Sequence, residues 1–449
     1  MIRRAFSATK TWFTQTWSDL KESADAGLLA SARFFGLLYG PIDRRLRIDQ
    51  ALKKSLRYRL PSHAGWRHAP GGITYVLFLV LVVTGVLLAL HYRPSVQEAY
   101  PSVQHIVSNV SFGWLIRDLH VWAASLIVIA MMLHMARVLF EGAYKPPRET
   151  NWTIGLLLLF VVLAFGATGY LLPWDQWAYW TVTEVLVAIA SFPIGGNILA
   201  EALMGDVIVS GATLSRFFSI HVIVLPWASL ALLAYHFTLV RRRGIAPPPG
   251  VEDTKAQRRE SAVASREEIL AEAERADEGI PFWPNHLLRS FIVTVLVLAV
   301  TISLAALFPR PVGAPANPGE LPHELVSTWV PVDVSLALLR YLGIWGFVGF
   351  TLLGVSFGLI PLFDRKPERH MRKRPVVVGI GLLFFIGFIA LWLAGRQIGS
   401  LPPSADLGEP RVGERVTPAE PGLPVPDLGP EPHRQQVDPA EATGEGGAQ

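Results

Sequence analysis

Residues 114–137 read WLIRDLHVWAASLIVIAMMLHMAR. This apolar run is long enough to cross a hydrocarbon core of about 30 Å as a helix, and it contains His120 and His134. Their interval of fourteen residues is close to four helical turns, so both imidazoles point to the same side within about 40°. At 1.5 Å per residue they lie about 21 Å apart along the helix axis. The spacing predicts one functional side chain near each membrane face.

A second apolar stretch, residues 217–243, repeats this pattern and reads FFSIHVIVLPWASLALLAYHFTLVRRR. It contains His221 and His236, which are fifteen residues apart. One further apolar span, 151–172, separates the two stretches, so both histidine helices must cross the membrane in the same direction. His120 is then level with His221, and His134 is level with His236.

Four histidines at matched heights favour a cofactor. A single histidine in an apolar helix is most often a hydrogen-bonded core residue, but ionisable groups are costly in a membrane and tend to be functional. The matched spacing on two parallel helices predicts two bis-histidine haem sites stacked across the membrane. Iron with two axial histidines has no open coordination position, which suits electron transfer and not oxygen chemistry.

Composition agrees with a membrane protein. The chain has 449 residues, 51% of them apolar, and a mean hydropathy of +0.37, which indicates a polytopic all-α membrane protein rather than a soluble enzyme. The chain has no cysteine, which excludes disulfides, iron–sulfur clusters and thioether-linked haem on this polypeptide. Seven apolar spans are predicted, at roughly 73–91, 119–140, 151–172, 219–240, 287–309, 336–362 and 375–394.

The distribution of basic residues predicts the topology. With a cytoplasmic N-terminus, the inner segments hold 31 of the 40 Lys and Arg residues, in agreement with the positive-inside rule. The net charge of +4 is therefore explained by membrane topology and does not indicate a nucleic acid partner. No cleavable signal is predicted at the N-terminus. The tail 397–449 is rich in Pro, Gly and Glu, so it is expected to be disordered, on the outer side.

Two polar segments flank the predicted four-helix region. Residues 1–60 alternate aromatic and basic residues, which predicts an amphipathic helix that lies on the membrane surface or packs on a partner subunit. Residues 244–285 form a linker whose Ala, Glu and Arg content favours an exposed helix of mixed charge.

Two pairs of glycines have the same fourteen-residue spacing as His120 and His134. Gly71 and Gly85 in the first span are fourteen residues apart, and so are Gly155 and Gly169 in the third. One interpretation is ordinary packing of small residues between membrane helices. The other is that glycine allows a large planar group to approach the helix backbone closely.

Four stretches carry a family resemblance: GYLLPWDQWAYW (169–180), FGWLIRDLHVWAASL (112–126), TLSRFFSIHVIVLPW (213–227) and HFTLVRRRGI (236–245). They resemble the cytochrome b subunit of quinol-oxidising cytochrome bc complexes, most closely the form in the cytochrome bf complexes of photosynthetic membranes. The resemblance is dense over 61–247. It implies a four-helix di-haem domain at 61–243, the linker 244–285, and a three-helix domain at 286–396 similar to subunit IV of the bf complex.

The resemblance implies roles for individual residues. His120 and His221 are expected to bind haem iron on the positive side, and His134 and His236 on the cytoplasmic side. Arg117 and Arg216 are expected to pair with haem propionates, because guanidinium and carboxylate form strong bidentate pairs. Arg137 and Arg241 either do the same at the cytoplasmic end, help to bind quinone there, or extend to lipid headgroups.

The same resemblance places a quinol site near Pro173, Trp174, Asp175, Glu324 and Trp329. The family has a Pro-Glu-Trp-Tyr motif whose glutamate accepts a quinol proton, and here Thr328 stands at that glutamate position. Glu324, Glu320 and Asp333 are nearby but do not match it. Ala69 stands where bf-type proteins attach an additional haem through a cysteine. We therefore expect two non-covalent b-type haems, and quinone as substrate.

The implied function is that of a di-haem subunit of a quinol–cytochrome c reductase type of enzyme, which moves electrons between two quinone sites and contributes to proton translocation. A Rieske-type iron–sulfur protein and a cytochrome c subunit are the expected partners, in a homodimeric complex of a bacterial inner membrane. Two alternatives stay open. One is a non-bifurcating electron-relay subunit of another quinone-linked complex, and the other is a transporter that uses buried histidines as a proton relay.

Overall fold

The computed structural model describes residues 22, 59–61, 63–249, 279–322 and 329–398. Most of the predicted N-terminal helix, most of the linker and nearly all of the tail lie outside this part of the chain, and so do Glu324 and Thr328. Those predictions therefore remain predictions.

The predicted all-α polytopic fold is confirmed. Within the described ranges, seven helices are long and apolar enough to cross a membrane. Their bounds are Trp66–Ala89, Gly113–Phe140, Glu149–Tyr170, Gly211–Arg243, Phe282–Leu307, Tyr341–Gly358 and Pro375–Arg396. One feature was not predicted: the two-residue strand β1 (Arg59–Leu60) pairs antiparallel with β2 (Ile280–Pro281). This pairing joins the start of the first span to the start of the fifth.

The first half of the structure is a bundle of four membrane helices with shorter helices at one end. In chain order the helices are α1 (Ala69–Ala89), α2 (Ala99–Ser108), α3 (Gly113–Phe140), α4 (Glu149–Tyr170), α5 (Gln176–Ala190), α6 (Gly196–Met204), α7 (Gly211–Ser219) and α8 (Leu225–Arg243). Helix α1 packs against α3, and α4 packs against α8.

Helix α3 is the central element of the bundle. Half of its apolar window is buried, whereas no other span buries more than 22% of its window. A helix that is apolar on all sides is either buried or faces lipid. Residues Ala123, Ile127 and Val128 of α3 are at most 2% exposed, whereas Val83 and Val86 of α1 are 59% exposed. The surrounding helices therefore present their outer faces to a membrane.

A π-turn interrupts the fourth span. Residues Ile220–Val224 lie between α7 and α8, and the N–H of Leu225 donates to the carbonyl of Ile220 five residues earlier. Pro226 follows directly and has no N–H to continue the ladder, which explains why the helix widens here. His221 lies inside this turn.

Three more membrane helices complete the fold: α9 (Leu287–Leu307), α10 (Val330–Gly358) and α12 (Pro375–Ile398), with the short α11 (Ile360–Phe363) between the last two. Helix α9 packs against α1 and α3, and α12 packs against α10 and α3. Helix α10 begins earlier than the predicted span 336–362 and is kinked at Gly343, whose φ of 62° favours glycine.

A buried ionic network joins the α3–α4 loop to the α11–α12 loop. The Nζ of Lys145 lies 2.7 Å from Oδ1 of Asp364, and the hydroxyl of Tyr144 donates to the same carboxylate. Arg374 donates to the Tyr144 hydroxyl at 3.0 Å and to the carbonyl of Phe140 at 3.0 Å. The side chains of Lys145 and Arg374 are 3% and 2% exposed. This network ties the last two membrane helices to the four-helix bundle.

Candidate functional site

The structure brings His120 and His221 together; we call them the first histidine pair. His120 lies on α3 and His221 in the π-turn, and their ring centroids are 6.4 Å apart with an interplanar angle of 60°. Metal–imidazole bonds are about 2.0 Å long, so two imidazoles on opposite sides of one metal ion have centroids about 6 Å apart. The separation in the first pair fits one six-coordinate iron.

The second histidine pair consists of His134 and His236. Both rings line one small cavity together with Arg148, Asn151 and Gly155. The Nδ1 atoms of both histidines are buried and have no hydrogen-bond partner. The first pair and the second pair join the same two spans at different heights, and the earlier histidine of one span meets the earlier histidine of the other. The two spans therefore run in the same direction.

Each of the four histidine rings lies beside a glycine of a neighbouring helix. A Cβ at Gly85 would be 3.2 Å from Cε1 of His120, and one at Gly169 would be 2.6 Å from Cε1 of His221. At the other end, a Cβ at Gly71 would be 3.1 Å from His134, and one at Gly155 would be 3.7 Å from His236. The repeated interval thus has a steric basis, because a side chain at these positions would push against the imidazoles.

Two threonines that the sequence analysis missed contact the first pair. The Oγ1 of Thr84 lies 2.9 Å from Nδ1 of His120, and the Oγ1 of Thr168 lies 3.2 Å from Nδ1 of His221. Each threonine directly precedes a glycine of the repeat, Gly85 or Gly169. That shared Thr-Gly dipeptide is the sequence signal that could have revealed them.

Arg117 and Arg216 precede the two histidines of the first pair by three and five residues, and each donates to a backbone carbonyl of another segment. Arg117 donates through Nη1 to the carbonyl of Arg310 at 2.6 Å and lies 3.0 Å from Oδ1 of Asp118. Arg216 donates through Nη1 to the carbonyl of Ala202 at 2.5 Å. Each guanidinium has further N–H groups, so pairing with propionates stays a prediction for both.

Several buried polar atoms near the second pair lack hydrogen bonds. They include Nε of Arg137, Nη1 of Arg243 and Oδ1 of Asn151. Arg137 also forms an ion pair with Glu141 at 2.8 Å. Buried guanidinium nitrogens are normally hydrogen-bonded, so the N–H groups of Arg137 and Arg243 fit the acidic groups of a bound molecule. Arg241 is exposed in the last turn of α8.

The side chain of Asp175 links the start of α5 to the loop that contains Gly313. Its Oδ1 accepts from the N–H of Ala178 at 2.8 Å and caps α5, and its Oδ2 accepts from the N–H of Gly313 at 3.0 Å. Burial raises the pKa of Asp175, and these backbone hydrogen bonds act against that rise. Trp174 beside it has a φ of 51° and packs edge-on against Tyr179. Both residues thus shape the turn that follows Pro173.

Trp329 is inserted between α3 and α4. Its indole contacts Gly166, and its Nε1 donates to the carbonyl of Ala124, four residues after His120, at 3.1 Å. Asp333 lies one turn further along α10 and is 3% exposed. Trp329 therefore contacts α3 about one helical turn after His120 and α4 about one turn before Gly169, and Asp333 is a buried carboxylate one turn after Trp329.

Comparisons with known proteins agree with this architecture. Residues 56–244 match the sequence model of the family described as Cytochrome b/b6/petB, and residues 315–404 match the one described as Cytochrome b(C-terminal)/b6/petD. Cytochrome b6 of Synechococcus sp. (strain JA-3-3Ab) is 41% identical over 211 residues, which cover 47% of this chain and 98% of that protein. Cytochrome b6 of Stigeoclonium helveticum is 43% identical over the same coverage.

A solved structure described as Hyperthermophilic respiratory Complex III has a similar fold. Its TM-score to this chain is 0.67 at 28% sequence identity, and the match covers 82% of this chain and 93% of the other. The similarity thus includes both the four-helix bundle and later helices.

Proposed function

This chain belongs to the cytochrome b family, and we propose that it is the di-haem subunit of a quinol-oxidising cytochrome bc-type complex. As a family member it is a haem-binding membrane protein of electron transport, with a bf-type cytochrome b region followed by a subunit IV-like region. It belongs to a quinone-linked membrane complex of the bc or bf type.

One observation carries the proposal of two haems. The histidines of two parallel helices meet at two heights, and every imidazole lies beside a glycine of the adjacent helix. Haem b supplies one-electron transfer when it is bound. His120 and His221 would hold the iron of one haem through their imidazoles, and His134 and His236 would hold that of the other.

Basic residues bind the acidic groups of the cofactors. Arg117 and Arg216 contribute N–H groups beside the first pair, and Arg137 contributes them beside the second. Arg241, at the exposed end of α8, binds quinone on the same side as the second pair. The unbonded Nε of Arg137 and Nη1 of Arg243 support an anionic partner at this end.

The quinol site lies at the end of the first pair, between the turn of Pro173, Trp174 and Asp175 and the start of α10 at Trp329. Quinol oxidation releases protons, so a carboxylate must accept them there. Asp333 and Glu324 are the candidates, since Thr328 stands at the family's glutamate position. The burial of Asp333 one turn after Trp329 supports its role.

The basic segments lie on the cytoplasmic side of a bacterial inner membrane, so the first pair faces the positive side. The haems held by the two histidine pairs would accept one of the two electrons of quinol, and a Rieske-type iron–sulfur protein with a cytochrome c subunit would accept the other. The complex is a homodimer, and quinol oxidation and quinone reduction on opposite sides contribute to proton translocation.

Thr328 favours a second candidate function. Threonine does not take up a proton near neutral pH, so a site with threonine in place of the glutamate fits a protein that no longer oxidises quinol. The chain would then relay electrons between quinone and an unrelated redox partner without bifurcation.

Purification of the tagged chain from its native membrane tests both functions. We expect two b-type haems per chain in a pyridine haemochrome assay, together with co-purifying Rieske-type and cytochrome c subunits. Added quinol should reduce the haems from the positive side. Co-purification of an unrelated dehydrogenase without a Rieske-type protein would establish the relay, and a chain without haem would refute both functions.

A further inference from the structure

We propose that Thr84 and Thr168 lower the reduction potential of the haem at the first histidine pair, by accepting hydrogen bonds from the Nδ1–H groups of His120 and His221. These two residues are positioning residues, since they act through the histidines. The inference rests on the proposed function, because it assumes that the first pair binds haem.

The hydroxyl groups of both threonines already donate their hydrogens to backbone carbonyls of their own helices. Thr84 donates to the carbonyl of Val80 at 2.6 Å, and Thr168 donates to the carbonyl of Ala164 at 2.7 Å. Each Oγ1 therefore offers a lone pair to the nearby imidazole. A ring that donates through Nδ1–H must be the Nδ1-protonated tautomer, which leaves its Nε2 lone pair for iron.

Backbone carbonyls complete the same arrangement on both helices. Nδ1 of His221 also lies 3.0 Å from the carbonyl of Phe165, and the Leu81 carbonyl is close enough to His120 to act on it electrostatically. Leu81 and Phe165 each lie three residues before the corresponding threonine. Helices α1 and α4 thus each offer a threonine hydroxyl to one histidine of the first pair, with a backbone carbonyl of the same helical turn nearby.

The second pair lacks this support. The residues that precede Gly71 and Gly155 are Pro70 and Ile154, which have no side-chain acceptor. The Nδ1 atoms of His134 and His236 have no hydrogen-bond partner. The two sites therefore share the histidine–glycine pattern but differ in what surrounds the outer nitrogen of each ligand.

This difference has an electrochemical consequence. An Nδ1–H bond to an acceptor gives the imidazole partial imidazolate character and makes Nε2 a stronger donor. A stronger donor stabilises ferric iron relative to ferrous iron, which lowers the reduction potential. The first pair is where electrons enter in the proposed function, so the asymmetry favours their transfer toward the second pair.

A potentiometric titration of the haem absorbance in the purified complex tests the proposal. In Thr84→Val combined with Thr168→Val, both hydroxyl acceptors are lost and the side-chain volume is retained. We expect the ferrous-to-ferric ratio of the first-pair haem to rise about tenfold at fixed ambient potential, which is about 59 mV for a one-electron couple. The potential of the second-pair haem should stay unchanged.

Two other threonines provide matched controls. Thr74 on α1 donates to the carbonyl of Pro70 at 2.9 Å, and Thr153 on α4 donates to that of Glu149 at 3.3 Å. Each repeats the local geometry of Thr84 or Thr168, and neither bonds a histidine. Thr74→Val and Thr153→Val should leave both potentials at the wild-type values. Thr84→Ser retains the acceptor and should also match the wild type.

The outcomes separate this inference from the proposed function. Two haems in the wild type with no potential shift in the double variant, or an equal shift of both haems, would overturn the role of the threonines. A wild-type protein without two b-type haems would instead refute the proposed function. If the valine variant does not assemble, Thr84→Ala also lacks the acceptor, adds no atoms and gives the same test.

Discussion

The imidazole of His221 lies directly against Gly169, where a Cβ would come within 2.6 Å of Cε1. His221 belongs to a π-turn of one membrane helix, and Gly169 lies in the last turn of another. The contact therefore fixes the depth of two spans relative to each other. It also makes the position of one ligand dependent on the absence of a side chain on the neighbouring helix.

Gly169→Ala should displace His221 and weaken haem binding at the first pair. The added methyl group cannot fit without a shift of the imidazole or of α4, and a displaced ligand binds iron less well. We expect a clear loss of one haem, measured per chain after detergent purification. Gly72→Ala is the control, because nothing lies within 4 Å of a Cβ there. Equal haem content in both variants would contradict this prediction.

His221→Leu should remove the haem of the first pair and retain the other. Leucine fills a similar volume but offers no nitrogen to iron, and the second pair lies about four helical turns away. Redox titration should then show one b-type component instead of two. His105→Gln, in α2 and outside both pairs, should keep both. Two components at wild-type stoichiometry in His221→Leu would show that the ligand assignment is wrong.

Asp333→Asn or Glu324→Gln should slow reduction of the haems by quinol. A positioned proton acceptor contributes about 10²–10⁴-fold to a rate, and the amide replacement keeps the shape while it removes the basic oxygen. Stopped-flow reduction with quinol measures the effect, with haem spectra as a check on folding. Glu98→Gln is a control, since Glu98 is an exposed carboxylate paired with Arg93. If neither variant is slower than this control while the wild type is fast, no replacement carboxylate operates.

Lys145→Met should destabilise the protein. Lys145 and Asp364 are both largely buried, and removal of Lys145 leaves the buried carboxylate with one cationic partner, Arg374 at 3.5 Å, instead of two. We expect a loss of about 3 kcal/mol, because Tyr144 and Arg374 still bind the carboxylate. Thermal unfolding in detergent, followed by circular dichroism, measures it. Lys373→Met removes an exposed partner of Glu368 and should leave the melting temperature unchanged.

The Lys145–Asp364 pair also predicts how the melting temperature depends on pH. Burial by itself would raise the pKa of Asp364, but hydrogen bonds from Lys145 and Tyr144 outweigh it and hold the pKa below its usual value. A carboxyl group with a lowered pKa in the folded state contributes stability above its unfolded pKa. That stability is lost as the pH falls through the folded pKa. The melting temperature of the wild type should therefore fall more steeply in acid than that of Asp364→Asn.

Much of the site could be predicted from the spacing of histidines and glycines along the sequence. The fourteen-residue spacing of His120 and His134 and that of the glycines follow helical geometry, which the sequence encodes directly. Trp329 shows the limit of this approach. Its position in the chain follows Thr328, but its contacts with Gly166 and Ala124 join segments more than 160 residues apart. No local pattern indicates which backbone an indole will meet.

The sequence by itself determined the seven apolar spans, the parallel direction of the histidine helices and the four candidate ligands, because span length and helical periodicity are local properties. The tertiary structure decided the rest. It placed Thr84 and Thr168 on the outer nitrogens of the first pair, and it joined Lys145 to Asp364 across the fold. Such contacts depend on the rotation and depth of whole helices, which packing fixes only after every span is in place.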